Sequence, residues 1–333
     1  MQRKGGAILK LKDLLEMEIL PPGISPKLAD KIKKKGKTSH TDIQSTQEQE
    51  EGSAQQLFSE GIAYVSNFGS NNVSVVDIGT ARLITNIPVG QGPAHLDISP
   101  DRRFVYVANF LDATVSVIRT FDNRVIDTIN LNTGQFTAQA SWGVKVSRNG
   151  RFVYVANFNS NNISVIDTRQ LAVVTVVPLQ SGPSQLEIPR GSNLLYTTLP
   201  NTDQVVAIDM SINLRVKTLA VGDDPEGITA SPTGSIMLVA NQLSDTLSVI
   251  NSNIAEVSPS TIATGEVPTQ IAFTRDGTRA FVTNQFSDTV SVIDITRHTQ
   301  LFTIPVGNTP TGIKLNRSNR FAVVTNAGDD TIS

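Results

Sequence analysis

One short string, rewritten seven times, limits what this chain can fold into. AYVSNFGSNNVSVVD (63–77), VYVANFLDATVSVIR (105–119) and VYVANFNSNNISVID (153–167) align without gaps, as do LYTTLPNTDQVVAID (195–209), LVANQLSDTLSVIN (238–251) and FVTNQFSDTVSVID (281–294). A seventh copy, VVTNAGDDTIS, covers 323–333. The anchor position falls at Asn67, Asn109, Asn157, Leu199, Asn241, Asn284 and Asn326, at spacings of 42, 48, 42, 42, 43 and 42 residues. The long interval marks an insertion near residues 130–142. Repeats of this period are single supersecondary units that bury their faces against one another.

Each unit carries a segment ahead of the string, such as GPAHLDISPDRR (92–103) or VPTQIAFTRDGT (267–278), and one behind it, such as VKTLAVGDD (216–224). Alternation of apolar and polar residues, broken by Asn-Gly and Asp-Gly turns, gives four short antiparallel strands per unit. Four strands every ~40–45 residues predict an all-β, seven-bladed β-propeller, in which radial repetition leaves only short edges. The predicted propeller spans 57–333, behind a basic leader and polar linker at 1–56.

The Tyr-Val-x-Asn box followed by Val-Ser-Val-Ile-Asp, with Pro and Asp-Gly ahead of it, resembles the YVTN-type β-propeller repeat family of the surface-layer and lactonase-like superfamily. The family Asn falls on Asn67, Asn109, Asn157, Asn241, Asn284 and Asn326, and its strand-ending Asp on Asp77, Asp167, Asp209 and Asp294. Leu199, Arg119 and Asn251 depart from the pattern, so blades four, two and five are each expected to lack one structural hydrogen bond. The resemblance implies a place outside the cytoplasm or on the cell surface, although the leader shows no apolar secretory stretch. It also brings lactonases and redox-associated subunits into view. The first repeat enters at its second strand unless residues 55–59 (QQLFS) supply an inner one, and the last blade is expected to be incomplete: a fragment, or a ring with a weak seam.

Charge divides the chain. Residues 1–37 hold ten Lys/Arg against four acids, a net +6, and the remainder carries −8. Two short amphipathic patterns, around 7–18 and 25–35, predict helices near or below the length at which isolated helices form. The leader is read either as a solvated extension or as a docking tail for an acidic partner or anionic surface. The acidic, aromatic-poor body argues against nucleic-acid binding by the propeller. No apolar run reaches membrane-spanning length.

Cysteine is absent, which excludes disulfides, thiolate nucleophiles, Cys-ligated metal and thioether-linked haem. With three histidines, no phosphate-cradling loop and no hydrolase motif, the sequence names no catalytic residue, metal or cofactor. Asn and Asp repeated once per blade read as turn-capping groups. Candidate sites belong instead where the blades differ. Alignment of the innermost strands puts Leu96, Val144, Leu186, Ile228, Ile271 and Ile313 on the core side. His95, Asp97, Lys145, Gln185, Glu187, Thr229, Gln270 and Lys314 then line the channel, a polar ring near neutrality. Trp142, the sole tryptophan, and Glu226 join His95, Gln185 and Gln270 as channel-mouth binding candidates. These residues read either as a ligand platform or as a plug.

The sequence thus predicts a non-enzymatic binding or interaction scaffold, taking another protein, a peptide or a small ligand at one end of the channel. The rivals are a lactonase-like hydrolase, activating a channel water with a metal or an acid/base pair (His95 with Asp97 or Glu187) for which Asp97, Glu187, Glu226 and His95 are the candidate suppliers, and an accessory subunit of a haem or quinone enzyme.

Overall fold

The computed structural model describes residues 61–316 and 318–333, together with Lys27. The helical expectation for the leader and the strand expectation for 55–59 lie outside the described residues. Seven antiparallel sheets follow one another along the chain, each a meander of consecutive strands. Among the described residues, blades two to six have four strands, blade one has three (Ile62–Asn67, Asn72–Asp77, Arg82–Pro88), and blade seven has three (Pro310–Leu315, Ala322–Asn326, Thr331–Ile332). The last blade is therefore short, as its sequence predicts.

The core is divided among the blade interfaces. Tyr106, Val115 and Val117 of blade two pack with Val144, Val153 and Val155 of blade three. Tyr154 and Ile163 of blade three pack with Leu186 and Leu195 of blade four, and the pattern continues to Val290, Ile313 and Val324 between blades six and seven. Both faces of the middle strands are thus covered, which is why Val-Ser-Val-Ile is nearly continuously apolar. Burying each such side chain contributes on the order of 1.5–3 kcal/mol.

Polar staples repeat with the blades. Asn241 Nδ2 donates to Thr246 Oγ1 and Ser248 Oγ, and Ser248 Oγ also accepts the Gly222 N–H from the preceding connector. The same set recurs at Asn109, Ser116 and Gly90, and at Asn284, Ser291 and Gly265. A second staple crosses between blades. In four blades a left-handed residue in the turn after the box accepts the N–H of a residue opening the next blade: Asn71 from Gly92, Asp203 from Asp224, Asp245 from Val267, Asp288 from Thr309. The repeated Asn and Asp residues therefore hold architecture.

The three departures resolve differently. Leu199 is buried at 2 % exposure, with Val206 in place of the usual serine, an apolar substitute for the network. Arg119 pairs with Asp122 at 2.6 Å instead of capping its turn. The expected loss in blade five does not occur: Asn251 Oδ1 accepts the Asn253 N–H at 3.1 Å, because an amide oxygen caps the turn as the carboxylates of Asp77 and Asp294 do.

Candidate functional site

Among the described residues, six blades present an inner strand to the channel: Pro93–Ile98, Ser141–Val146, Leu186–Glu187, Pro225–Ala230, Pro268–Phe273 and Pro310–Leu315. The core-side residues of the sequence alignment pack into the inter-blade clusters, so the opposite set faces inward. Neighbouring inner strands approach closely because Gly143 and Gly227 lack a Cβ; one at Gly143 would strike the Ser184 carbonyl oxygen, and one at Gly227 that of Thr269.

At one end the candidates bond one another. Trp142 Nε1 donates to Glu226 Oε1 at 2.8 Å, and Ser184 Oγ donates to Glu226 Oε2 at 2.7 Å. Gln185 Nε2 lies 2.5 Å from His95 Nε2; an amide NH2 only donates, so this ring nitrogen is the acceptor and the proton sits on Nδ1. The His95 and Trp142 rings meet edge to face, centroids 4.6 Å apart. Two of these links skip a blade: His95–Gln185 joins blade two to four, and Trp142–Glu226 joins blade three to five. Burial raises the Glu226 pKa, opposed by its bonds to Ser184, Trp142 and Gln185. Burial, aided by the Lys314 charge, lowers that of His95 to about 3, so the ring is neutral. Gln270 does not join the cluster: its main-chain N–H donates to Thr283 Oγ1, and its side chain makes no bond to described residues.

Further along the channel Lys145 Nζ meets Glu187 Oε2 at 2.9 Å, and Asp97 Oδ2 accepts the Val146 N–H at 2.9 Å. Burial alone would lower the Lys145 pKa, but Glu187 and Asp97 outweigh it and raise it. Lys314 is crowded by protein yet open to channel water. It has no acceptor among the described residues, and burial followed by repulsion from Lys145 lowers its pKa. Thr229 donates to the Ile271 carbonyl oxygen.

Several neighbours were not evident in the sequence. Phe68 and Phe110 extend the aromatic group at the Trp142 end, with Phe110 6.2 Å from the indole centroid. Phenylalanine follows the box Asn only in blades one to three, and that was the available signal. The opposite end carries Arg148, Arg190 and Arg275 at equivalent turn positions. Hollows of about 230 and 480 Å³ open there, the first lined by Asp97, Lys145 and Arg148, the second by Lys314, Arg275 and Asn319. The turns at the Trp142 end are acidic instead, with Asp112, Asp203, Asp223, Asp245, Glu266 and Asp288. Lys27 Nζ reaches Asp203 Oδ2 there at 2.9 Å. Among the described residues no group of three or more His, Cys, Asp or Glu is placed to hold a metal, and no helix is long and apolar enough to cross a membrane.

A family model described as Lactonase, 7-bladed beta-propeller, matches residues 31–213, more than half of the chain. The chain belongs to this lactonase family of seven-bladed propellers. A second model, the YNCE-like beta-propeller, matches residues 233–320 of this lactonase-family chain. No curated protein matches by sequence. Among solved structures, Kuenenia stuttgartiensis hydrazine synthase superposes with a TM-score of 0.73 at 18% identity, over 82% of this chain and 91% of that one. A functionally unknown protein from Desulfotomaculum acetoxidans DSM 771 gives 0.70 at 15% identity, over 80% and 89%. Such similarity is shared by 1719 chains, so it speaks for the fold and leaves function to the site.

Proposed function

We propose that this lactonase-family chain is a binding propeller, without hydrolytic activity, that takes a small ligand or peptide terminus at the arginine-bearing end of its channel. The observation that carries this reading is the mutual commitment of the candidate catalytic groups. Both Glu226 oxygens accept hydrogen bonds from Trp142 and Ser184, and the His95 lone pair is occupied by Gln185. A general base needs its lone pair directed at the proton it removes; the His95 Nε2 lone pair is engaged by Gln185, and each Glu226 oxygen already holds one protein donor. Of the two carboxylates expected as partners of His95, Glu187 is paired with Lys145 and Asp97 accepts the Val146 N–H. The Trp142 end is thus read as a plug, and the hollows lie at the other end. Lys27 pairs with Asp203 on the acidic face, and one exposed pair of this kind contributes only about 0–1 kcal/mol.

The test is a thermal-shift panel of peptides, sugar lactones and small acids, run beside a lactone-hydrolysis assay on the full chain. A ligand that prefers the folded state raises the melting temperature by mass action. Shifts without turnover support binding. Turnover that disappears in both His95→Asn and Glu226→Gln overturns it in favour of a hydrolase.

A further inference from the structure

The two hollows at the arginine-bearing end differ in chemistry, and the difference identifies a ligand class. In the smaller one the charges are already answered: Lys145 is paired with Glu187, and the Arg148 guanidinium donates to the Ile188 and Pro189 carbonyl oxygens of the neighbouring blade. The larger, about 480 Å³ between blades five, six and seven, is of a size that holds small-molecule ligands. No carboxylate lines it. Lys314 and the Arg275 guanidinium have no acceptor among the described residues. Asn319 spends its Oδ1 on the Arg275 N–H at 3.2 Å, which leaves its amide NH2 as a further donor. The rest of the wall includes Ile271, Ala272, Phe273 and Leu315. The acid of the nearby turn, Asp276, points its Oδ1 back into the turn, where it accepts from Thr274 Oγ1 and from the Thr278 N–H and hydroxyl, and it forms no ion pair with either cation.

We infer that this hollow binds a small oxyanion, a carboxylate or phosphate group on a short apolar body, with Lys314 and Arg275 as its charged contacts. The inference rests on the reading of the channel as a binding site. An ammonium and a planar guanidinium lining one cavity suit an oxyanion, which accepts charge-assisted hydrogen bonds from both. The apolar wall would accommodate the remainder of the molecule.

Isothermal titration of the full chain with inorganic phosphate and, separately, with a short-chain aliphatic carboxylate distinguishes the two head groups. The expected result is saturable binding of one probe, weakened about tenfold or more by Lys314→Met and by Arg275→Ala, retained in Lys314→Arg, and weakened by added salt. Arg215→Ala, on the exposed outer strand of blade four, should leave it unchanged. Thermal melts of each variant verify folding. Binding that survives Lys314→Met overturns the assignment. If neither probe binds while the thermal-shift panel finds another channel ligand, the oxyanion class is wrong and the binding reading stands. If neither experiment finds a ligand, both fall.

Discussion

Ser141 Oγ donates to Asn157 Oδ1 at 2.9 Å, and this bond is what distinguishes blade three from four of its neighbours. The register partners of Asn109, Asn241, Asn284 and Asn326 are Pro93, Pro225, Pro268 and Pro310. Proline brings no donor, and the Oδ1 of each of those four asparagines is buried without a partner. The proline that opens four inner strands therefore leaves a buried acceptor unanswered in each, and serine in blade three answers it. Ser141→Ala should orphan the fifth oxygen and lower stability by about 1–2 kcal/mol. Urea unfolding measures it, and a change near zero would mean that water already serves this site.

The close approach of inner strands gives a second expectation. Gly227→Ala and Gly143→Ala each push a methyl group into a neighbouring carbonyl oxygen. Overpacking of this kind costs about 1–3 kcal/mol, and here the obstacle is backbone, which yields little. Both variants should melt lower than Gly69→Ala, where nothing lies within reach of the added carbon.

Trp142 reports on His95. Because the His95 pKa is lowered from 6.5 to about 3 in the folded chain, the ring stays neutral through mild acid. Tryptophan emission, quenched by an adjacent imidazolium, should be flat between about pH 8 and 5, where an ordinary histidine would titrate. The depressed value also favours folding above the unfolded pKa of 6.5, and that contribution is lost as pH falls from there towards 3. An emission step near pH 6.5 would contradict the burial of the ring.

Glu226 carries the opposite sign. Its carboxyl pKa is raised from 4.5 by burial, so between 4.5 and the folded value the folded chain keeps a proton that the unfolded chain has released. Stability attributable to this group is present below 4.5 and declines as pH rises through the folded value. Glu226→Gln keeps the shape and removes the titration. The difference in unfolding free energy between variant and parent should grow in the variant's favour across that interval.

Lys145 and Glu187 are held together in the channel, their side chains 25 % and 12 % exposed. Removing one leaves the other charged and poorly hydrated, whereas removing both does not. Lys145→Met should therefore destabilise more than the double change Lys145→Met with Glu187→Leu, as read by denaturant midpoints. Equal losses would show that channel water solvates Glu187 well enough alone.

The ring of blades was legible because its determinants recur: the Asn box, the turn carboxylates and the apolar run each appear at the same place in successive repeats. The channel-facing side of each inner strand was legible for the same reason, through the alternation that put Leu96 and Ile271 in the core. What could not be read was which side chains meet across blades. That Glu226 answers Trp142, or that Ser141 supplies the donor that Pro225 cannot, depends on how far neighbouring strands approach. No period in the sequence encodes that distance. The cationic hollow was missed for a related reason: Arg148, Arg190 and Arg275 lie in turns read only for their hairpin chemistry, and they become one surface when the blades close around the axis.

The turns at the Trp142 end are acidic, whereas the arginines gather at the other end beside Asp101, Asp122 and Asp276, and this uneven distribution has a consequence for how the molecule meets anything charged. Separated along the channel axis, these charges form a dipole, so an approaching ionic surface exerts a torque before contact is made. The propeller would arrive already oriented, arginine face towards anions and acidic face towards cations, and fewer encounters would be lost to rotational search. The advantage is one of association rate, and it fades as salt shortens the reach of the field.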